Sequence, residues 1–587
     1  MKKKNLAAAL LSLCLLTGML AGCGNASSTA SAASASASAP QAAESTPEKA
    51  NDLFVPDAVP DAASTEESSA AEPAAPSYTL PISEEGLTYT YWMCYAPFAP
   101  EVIDVDGMKG LLVLDTLQDV TNIHFDITAA NGAAEQDNFN LMIAAGDYCD
   151  IINGMNNFTA GLEAAVEQDI IQDLADVIPE KCPNYWAYLN KNTNSLMQAY
   201  TDSGYMPTIC TLTPEVGQEV VGPVIRKDWL NEFGMEVPKT FDELYDYLQK
   251  AKSEKNALFE LNSTDGLVLD LAYGLNLYFG EMLYSDSPFT VQNGKAVYSL
   301  TNDNMKTYLK FMNRLYTDGL IPADFFSETS EDVSAAARLD FGLSTNSLVS
   351  VSAANSSDIM MNVTDENFEM AVLPYVTDGT TEPHTGPASM SDTMKDNDAW
   401  AFSIGCTNID PLLEMVEFLY SDEGYLLSNY GVEGESYTMV DGKPTYTELI
   451  TNNPDGLSSF FASYKYATNA ASSFFPYIND MSKSFYDFND NQWEVYEGLK
   501  NLSDCAYNYP AYAKMTAEET AEYTRISAEI STYTDTRILE FITGAADIDA
   551  DWDNYVSTIE GMGLQDMVDV KQDAYDRAMQ REAAMGL

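Results

Sequence analysis

From Leu87 onward the chain alternates between short apolar runs and stretches with helical spacing of apolar residues. Leu87 to Tyr95 is an apolar, β-rich run and reads as a strand. A helix is expected around Met108 to Asp119. Ile123 to Thr128 reads as a second strand, because Ile123, Phe125 and Ile127 alternate onto one face. Glu135 to Ala145 sets Phe139, Met142 and Ile143 at helical spacing, and Gly146 supplies a C-terminal stop. Asp150-Ile151-Ile152 reads as a short buried strand. Strand and helix in alternation predict a parallel α/β sheet.

A second α/β region is expected after Gly204. Thr240 and Glu243 form a capping box, and Phe241, Leu244 and Leu248 then line one helix face. The segment from Val291 to Val297 carries Asn293-Gly294 at its middle, a hairpin signal because both residues tolerate positive φ. Met305, Tyr308, Met312 and Leu315 form another helical stripe that Gly319 ends. Asp410-Pro411 opens a helix with Leu412, Met415, Val416 and Leu419 facing inward. From Thr516 the tail is helical, and Thr516 with Glu519 repeats the capping box. No internal repeat occurs.

The region before Leu87 is of another kind. Lys2-Lys3-Lys4 precede an apolar run from Leu6 to about Ala21, shorter than the roughly 20 residues of a membrane span. This is the pattern of a signal peptide, residues 1–22. The run ends in Leu20-Ala21-Gly22-Cys23, which resembles a bacterial lipobox and makes Cys23 the expected lipidation site. Residues 23–84 then hold the lipidated Cys and an Ala-, Ser-, Pro- and Glu-rich stretch. It has too few large apolar side chains to offset the entropy of ordering, so it reads as a stalk. The expected location is the extracellular face of a bacterial cell membrane, held by the lipid alone.

With 587 residues the chain exceeds one compact core. Its 29 Lys and Arg against 89 Asp and Glu give a formal charge of −60, which excludes nucleic acid as a partner. Six Cys remain beyond Cys14 and Cys23, without CxxC spacing; they could pair or stay as small buried residues. Only His124 and His384 are present, so His-based metal and triad chemistry has almost no material to work with. Neither a GxSxG elbow nor a P-loop occurs. No cofactor and no metal are expected.

Several segments, in this order, carry a family resemblance. They are Thr121-Asn122-Ile123, the run Asn138 to Asp147, Ile225 to Leu230, Leu315 to Ile321, Tyr420 to Gly424, Tyr430 to Glu435, and Trp552, Tyr555-Val556, Gly563-Leu564 and Ala574 to Arg577. On these the chain resembles the extracellular solute-binding proteins of family 1, in the lipoprotein branch that serves carbohydrate ABC importers and includes alginate- and oligosaccharide-binding members. The resemblance implies an α/β, two-lobe, periplasmic-binding-protein-like fold with hinge-crossing segments and a helical C-terminal region. It places lobe one at 85–207 and 372–425 and lobe two at 212–366 and 430–587, with crossings at Gly204 to Thr208 and Ala371 to Pro374. It implies a monomer that takes a small-molecule ligand, an oligosaccharide, and delivers it to ABC permease subunits with a separate ATPase. Alginate-binding relatives carry an acidic calcium loop after the first-lobe helices. Leu189 to Gly204 has Asn194 and Asp202 but no such acidic cluster, so no calcium is expected there. Asp487 to Asn491 is a faint second candidate, but Gly498 stands where a bidentate Glu is needed.

A sugar site needs stacking aromatics and hydrogen-bonding amides or carboxylates at strand ends. Tyr95, Phe98, Asp147, Asn153, Asn156, Arg226, Tyr273 and Trp400 are the candidates. Structural roles compete with these: Trp229 as a core anchor, Asp228 as a helix cap, Asp147 as a turn cap. Rival functions are a peptide or other metabolite binder, and a surface glycoside hydrolase, since carboxylates are plentiful.

Overall fold

The computed structural model describes residues 77–95, 110–131, 135–213, 222–259, 269–279, 288–323, 325, 343–344, 369–387, 394–468, 474–480, 483, 490–500 and 502–586. The signal run, Cys23, most of the stalk and Phe98 lie outside them, as does Asp487 to Asn489.

Strands β1 (Leu87–Tyr95) and β2 (Ile123–Asn131) run parallel, from Leu87 opposite Ile123 to Tyr95 opposite Asn131. The connecting helix Leu112–Thr121 buries Val113, Leu114 and Leu117 against the sheet. It ends at Asn122 with φ 53°, a left-handed value that Asn adopts more readily than most residues. β3 (Ile151–Asn153) joins β1 in parallel, with Tyr91 opposite Ile151. β4 (Ile209–Leu212) lies at the far edge of this sheet.

The second sheet holds β5 (Val224–Arg226). A hairpin follows, β6 (Phe289–Gln292) with β7 (Lys295–Tyr298), turning on Asn293 and Gly294 at positive φ as the dipeptide predicts. β8 (Leu343–Ser344) and β9 (Met370–Val372) flank β5, both antiparallel to it. β10 (Met394–Phe402) returns to the first sheet between β3 and β4, antiparallel to both. β11 (Tyr437–Val440) and β12 (Lys443–Tyr446) form a second hairpin.

The expected parallel sheet is therefore mixed, ordered β2-β1-β3-β10-β4. β10 does not follow β3 through a helical crossover; it arrives after the chain has built the second sheet, so the right-handed crossover that imposes parallel pairing does not constrain it.

Each sheet has its own hydrophobic core. The first contains Tyr91, Leu117, Ile151, Trp400, Leu412 and Phe475. The second contains Ile225, Leu244, Met312, Leu315, Phe541 and Tyr555. In it Phe241 of the capping-box helix Phe241–Lys255 stacks on Phe311 of helix Asp303–Thr317, centroids 4.3 Å apart. Both capping boxes form as read, at Thr240–Glu243 and Thr516–Glu519. The architecture is two α/β lobes, each built on its own sheet and core.

Three expected assignments differ. Gly204 to Thr208 is not a crossing: Met206 is buried in the first core and the chain continues into β4. Ala371 to Pro374 lies in and just after β9, within the second sheet. Val432, Leu457, Phe461 and Tyr464 pack on the first core, not the second. Leu212 bridges Ile478, and Phe474 to Ile478 fill the same cluster as Trp400. An amphipathic face records that a helix is buried, but not against which of two cores.

The joint between helix Asp410–Leu419 and helix Asp422–Tyr430 shows why Gly424 ends the Tyr420 to Gly424 motif. A Cβ there would sit 2.1 Å from the Phe418 carbonyl oxygen. Cys149, Cys182 and Cys406 are free thiols. Burial pushes Cys406 up to about 12, so it is inert as a nucleophile near neutral pH.

Candidate functional site

In parallel α/β sheets the cleft opens at the carboxyl ends of the strands, where side chains leave the ladder and backbone groups become available to a ligand. Here that edge is formed by Tyr95 of β1, Asn131 of β2 and Asn153 of β3. After Asn153 the chain turns sharply at Gly154, φ 89°, into a short 3-10 turn, Met155–Asn157. The turn leaves Met155 buried and Asn156 exposed at the rim. Asn156 and Tyr95 thus share one edge of one sheet, as their positions after strands imply.

Behind that edge lies a polar relay inside the apolar core. Trp400 on β10 is directly opposite Asn153 on β3. The Tyr91 hydroxyl accepts from Trp400 Nε1 at 3.1 Å and from Asn153 Nδ2 at 3.2 Å, and donates to the Phe474 carbonyl at 2.7 Å. Trp400 Nε1 also reaches the Phe474 carbonyl, at 3.0 Å. The Trp400 ring meets Tyr91 and Phe125 edge-on at 5.9 and 5.8 Å. Trp400 is 0% exposed and Asn153 5%. The structure brings these two predicted residues together, but as the supporting layer beneath the edge. Trp400 has no free face on which a sugar ring could stack.

The other candidates scatter. Asp147 is exposed and precedes β3, so it lies on the amino side of the sheet, away from Tyr95 and Asn156. Arg226 ends β5 and is 8% exposed. Its Nε and Nη2 donate to Asp228 at 2.8 and 2.5 Å, and its guanidinium covers the Trp229 ring at 4.3 Å. Asp228 is therefore the partner of Arg226, and Trp229 is a core anchor. Tyr273 is 1% exposed, facing Tyr278 at 6.2 Å and Tyr375 edge-on at 5.2 Å. Gly274 permits this: a Cβ there would lie 1.9 Å from the Val376 carbonyl oxygen.

Two residues were not singled out by sequence reasoning. Tyr91 looks like one more apolar strand residue, and nothing local marks its hydroxyl as a shared acceptor. Trp493, 40% exposed on helix Asp490–Leu499, is an aromatic surface in the second lobe, beside the Lys227–Glu494 ion pair at 2.9 Å. Its position three residues after Asp490, on the polar face of a short helix, was the available signal.

Two sheets with separate cores, and a chain that passes between them more than once, define a two-lobed binding protein of the kind that holds a solute in a cleft. The chain belongs to the bacterial extracellular solute-binding proteins, whose family pattern matches residues 112–425. It is similar to the fructooligosaccharide ABC transporter substrate-binding protein FusA of Streptococcus pneumoniae serotype 4, with 23% identity over 85% of this chain and 92% of that one. Lipoprotein LipO of Bacillus subtilis is 22% identical over 59% of this chain and 69% of its own length. Among solved structures, alginate-binding protein AlgQ2 without calcium ion superposes with a TM-score of 0.62 at 20% identity, covering 84% of this chain and 99% of that one. FusA in complex with kestose superposes equally well, TM-score 0.62 at 21% identity over 84% and 99%. These relatives are binding proteins, and the family is extracellular.

Proposed function

We propose that this chain is the substrate-binding lipoprotein of an ABC importer. It captures an oligosaccharide between two closing lobes and hands it to the permease. The observation that supports this most is the match to FusA, which covers 85% of this chain and 92% of that one and is therefore too long to lie in one lobe alone. In this reading lobe one comprises residues 77–213 and 387–480, and lobe two 222–386 and 490–586. Ligand is favoured by contacts to both lobes, which shift the open–closed balance toward closure.

Tyr95 and Asn156 belong to the ligand surface of lobe one, with Phe98 following β1. Asn153 and Trp400 hold that surface in place from behind. Trp493 serves as an aromatic face on lobe two. Cys23 carries the lipid, and residues 24–76 space the lobes from the membrane. The protein acts as a monomer and is not an enzyme, since binding alone accounts for the surface described.

Thermal unfolding across a panel of fructooligosaccharides beginning with kestose, alginate oligosaccharides, peptides and amino acids tests the reading. A bound sugar at 100 times its Kd stabilises by about 2.7 kcal/mol. A shift with a sugar and none with peptides is expected. Stabilisation by peptides alone, or turnover of a sugar during incubation, would overturn it.

A further inference from the structure

Helix Leu564–Met585 does not stay within one lobe. Its first half buries Met567 and Val570 in the second core. Further along, Ala578 packs with Met197 and Tyr512 in a small separate cluster, and Met585 rests against the first core. Over this small cluster lies an ionic network. Arg577 donates from Nη1 and Nη2 to the two carboxylate oxygens of Glu519 at 2.7 and 2.6 Å, and from Nε to Asp202 Oδ2 at 3.1 Å. Arg581 donates from Nη1 to Asp202 Oδ1 at 3.1 Å and to the Tyr200 carbonyl at 3.2 Å, and from Nη2 to the Met197 carbonyl at 2.8 Å.

Asp202 and the two carbonyls belong to the segment that leads into β4 in lobe one. Glu519 is the capping-box residue of helix Ala517–Thr543 in lobe two. Asp202 therefore lies between two guanidinium groups, one of which also grips lobe two. Arg581 is 2% exposed, and its Nε is buried without a hydrogen-bond partner. A guanidinium so enclosed is held by fixed geometry: it cannot follow a sliding carboxylate without losing acceptors that no water replaces.

We propose that the Asp202–Arg577–Arg581 network is the pivot of lobe closure, and that Asp202 is a positioning residue whose charge keeps the lobes in register at one end of the cleft. The inference deepens the proposed function and rests on its two-lobe reading. At the pivot the lobes rotate but do not separate. All opening is then transmitted to the far side, where ligand surfaces meet. The network touches no proposed ligand residue, so it acts on affinity only through the fraction of molecules in register: an apparent Kd equals the intrinsic Kd divided by that fraction.

The test uses the mature chain with one spin label on each lobe, at exposed positions Glu180 and Glu254. Interlobe distances are measured without ligand in wild type, Asp202→Asn and Arg577→Lys. The expected result is a distance distribution at least twofold broader in both variants, with melting of each lobe retained. Arg577→Lys keeps the charge and loses the fork, so it serves if Asp202→Asn does not fold. Distributions that superpose on wild type in a folded variant overturn the pivot, whatever the protein binds. Kestose is then added: failure of wild type to bind it or any other sugar in the panel counts against the functional reading and leaves the ligand-free comparison standing.

Discussion

Lys571 offers a quantitative check on the second lobe. It is 7% exposed on helix Leu564–Met585, with its ammonium 4.5 Å from the centre of the Tyr509 ring and 5.3 Å from that of Tyr523. Burial lowers its pKa from 10.5 to about 8, the desolvation cost of a charge taken from water. A shift of that size corresponds to about 3 kcal/mol against the protonated form. The two ring contacts offset about 1 kcal/mol each. Substitution by Met keeps the length and the apolar stem and removes the charge. Lys571→Met should therefore stabilise the fold at pH 7 by about 1–2 kcal/mol, a rise of a few degrees in Tm for a lobe of this size. The sign with pH is also determined. Between about 8 and 10.5 the unfolded chain keeps a proton that the folded chain has released, so wild-type stability from this site rises with pH through that window. The gain from Lys571→Met should shrink over the same range and vanish above it. Thermal melts of both proteins at pH 7, 8.5 and 10 give the difference directly, with the tyrosine titrations common to both cancelling. A gain independent of pH, or a wild type more stable at pH 7, refutes the argument.

Other outcomes follow from single contacts. Trp400→Ala opens a cavity at a fully enclosed site and removes two hydrogen bonds, so it should cost about 3–5 kcal/mol in urea unfolding of lobe one; unchanged stability would place Trp400 at the surface after all. Tyr91→Phe removes the hydroxyl to which Asn153 Nδ2 and Trp400 Nε1 donate and its own bond to the Phe474 carbonyl, which Trp400 keeps, and should cost about 1–3 kcal/mol in the same assay, with little change in volume. Glu417 is fully buried, accepts from the Asn184 amide at 2.8 Å, and is held above its ordinary pKa chiefly by burial. Its ionised form opposes folding, so the site contributes more stability as pH falls through the folded pKa. The wild type should gain on Glu417→Gln as the medium is acidified, and parallel pH profiles would contradict this. Gly424→Ala should destabilise the joint between helices Asp410–Leu419 and Asp422–Tyr430 by several kcal/mol, read as a lowered Tm of lobe one, because the added Cβ meets backbone and not a movable side chain.

Much of this protein was decided locally. β1, β2, helix Glu135–Ala145, both capping boxes and the Asn293-Gly294 hairpin follow from period, turn chemistry and caps, each of which acts over a few residues. The carboxyl edge that carries Tyr95 and Asn156 was legible for the same reason: a strand's end locates it. What local chemistry could not decide was assignment between two cores. Apolar stripes at Leu412 and at Met312 look alike, yet one faces Trp400's lobe and the other Phe541's. Nor could it decide which polar groups turn inward. Trp400, Tyr273 and Arg226 have the chemistry of ligand contacts, and each is sealed by a partner distant in sequence or held in an ion pair. Asp202 is one acid among 89 until helix Leu564–Met585 folds back and sets two guanidinium groups against it. Periodicity is a property of neighbours in the chain, while burial and charge pairing are properties of neighbours in space, and only the folded backbone relates the two.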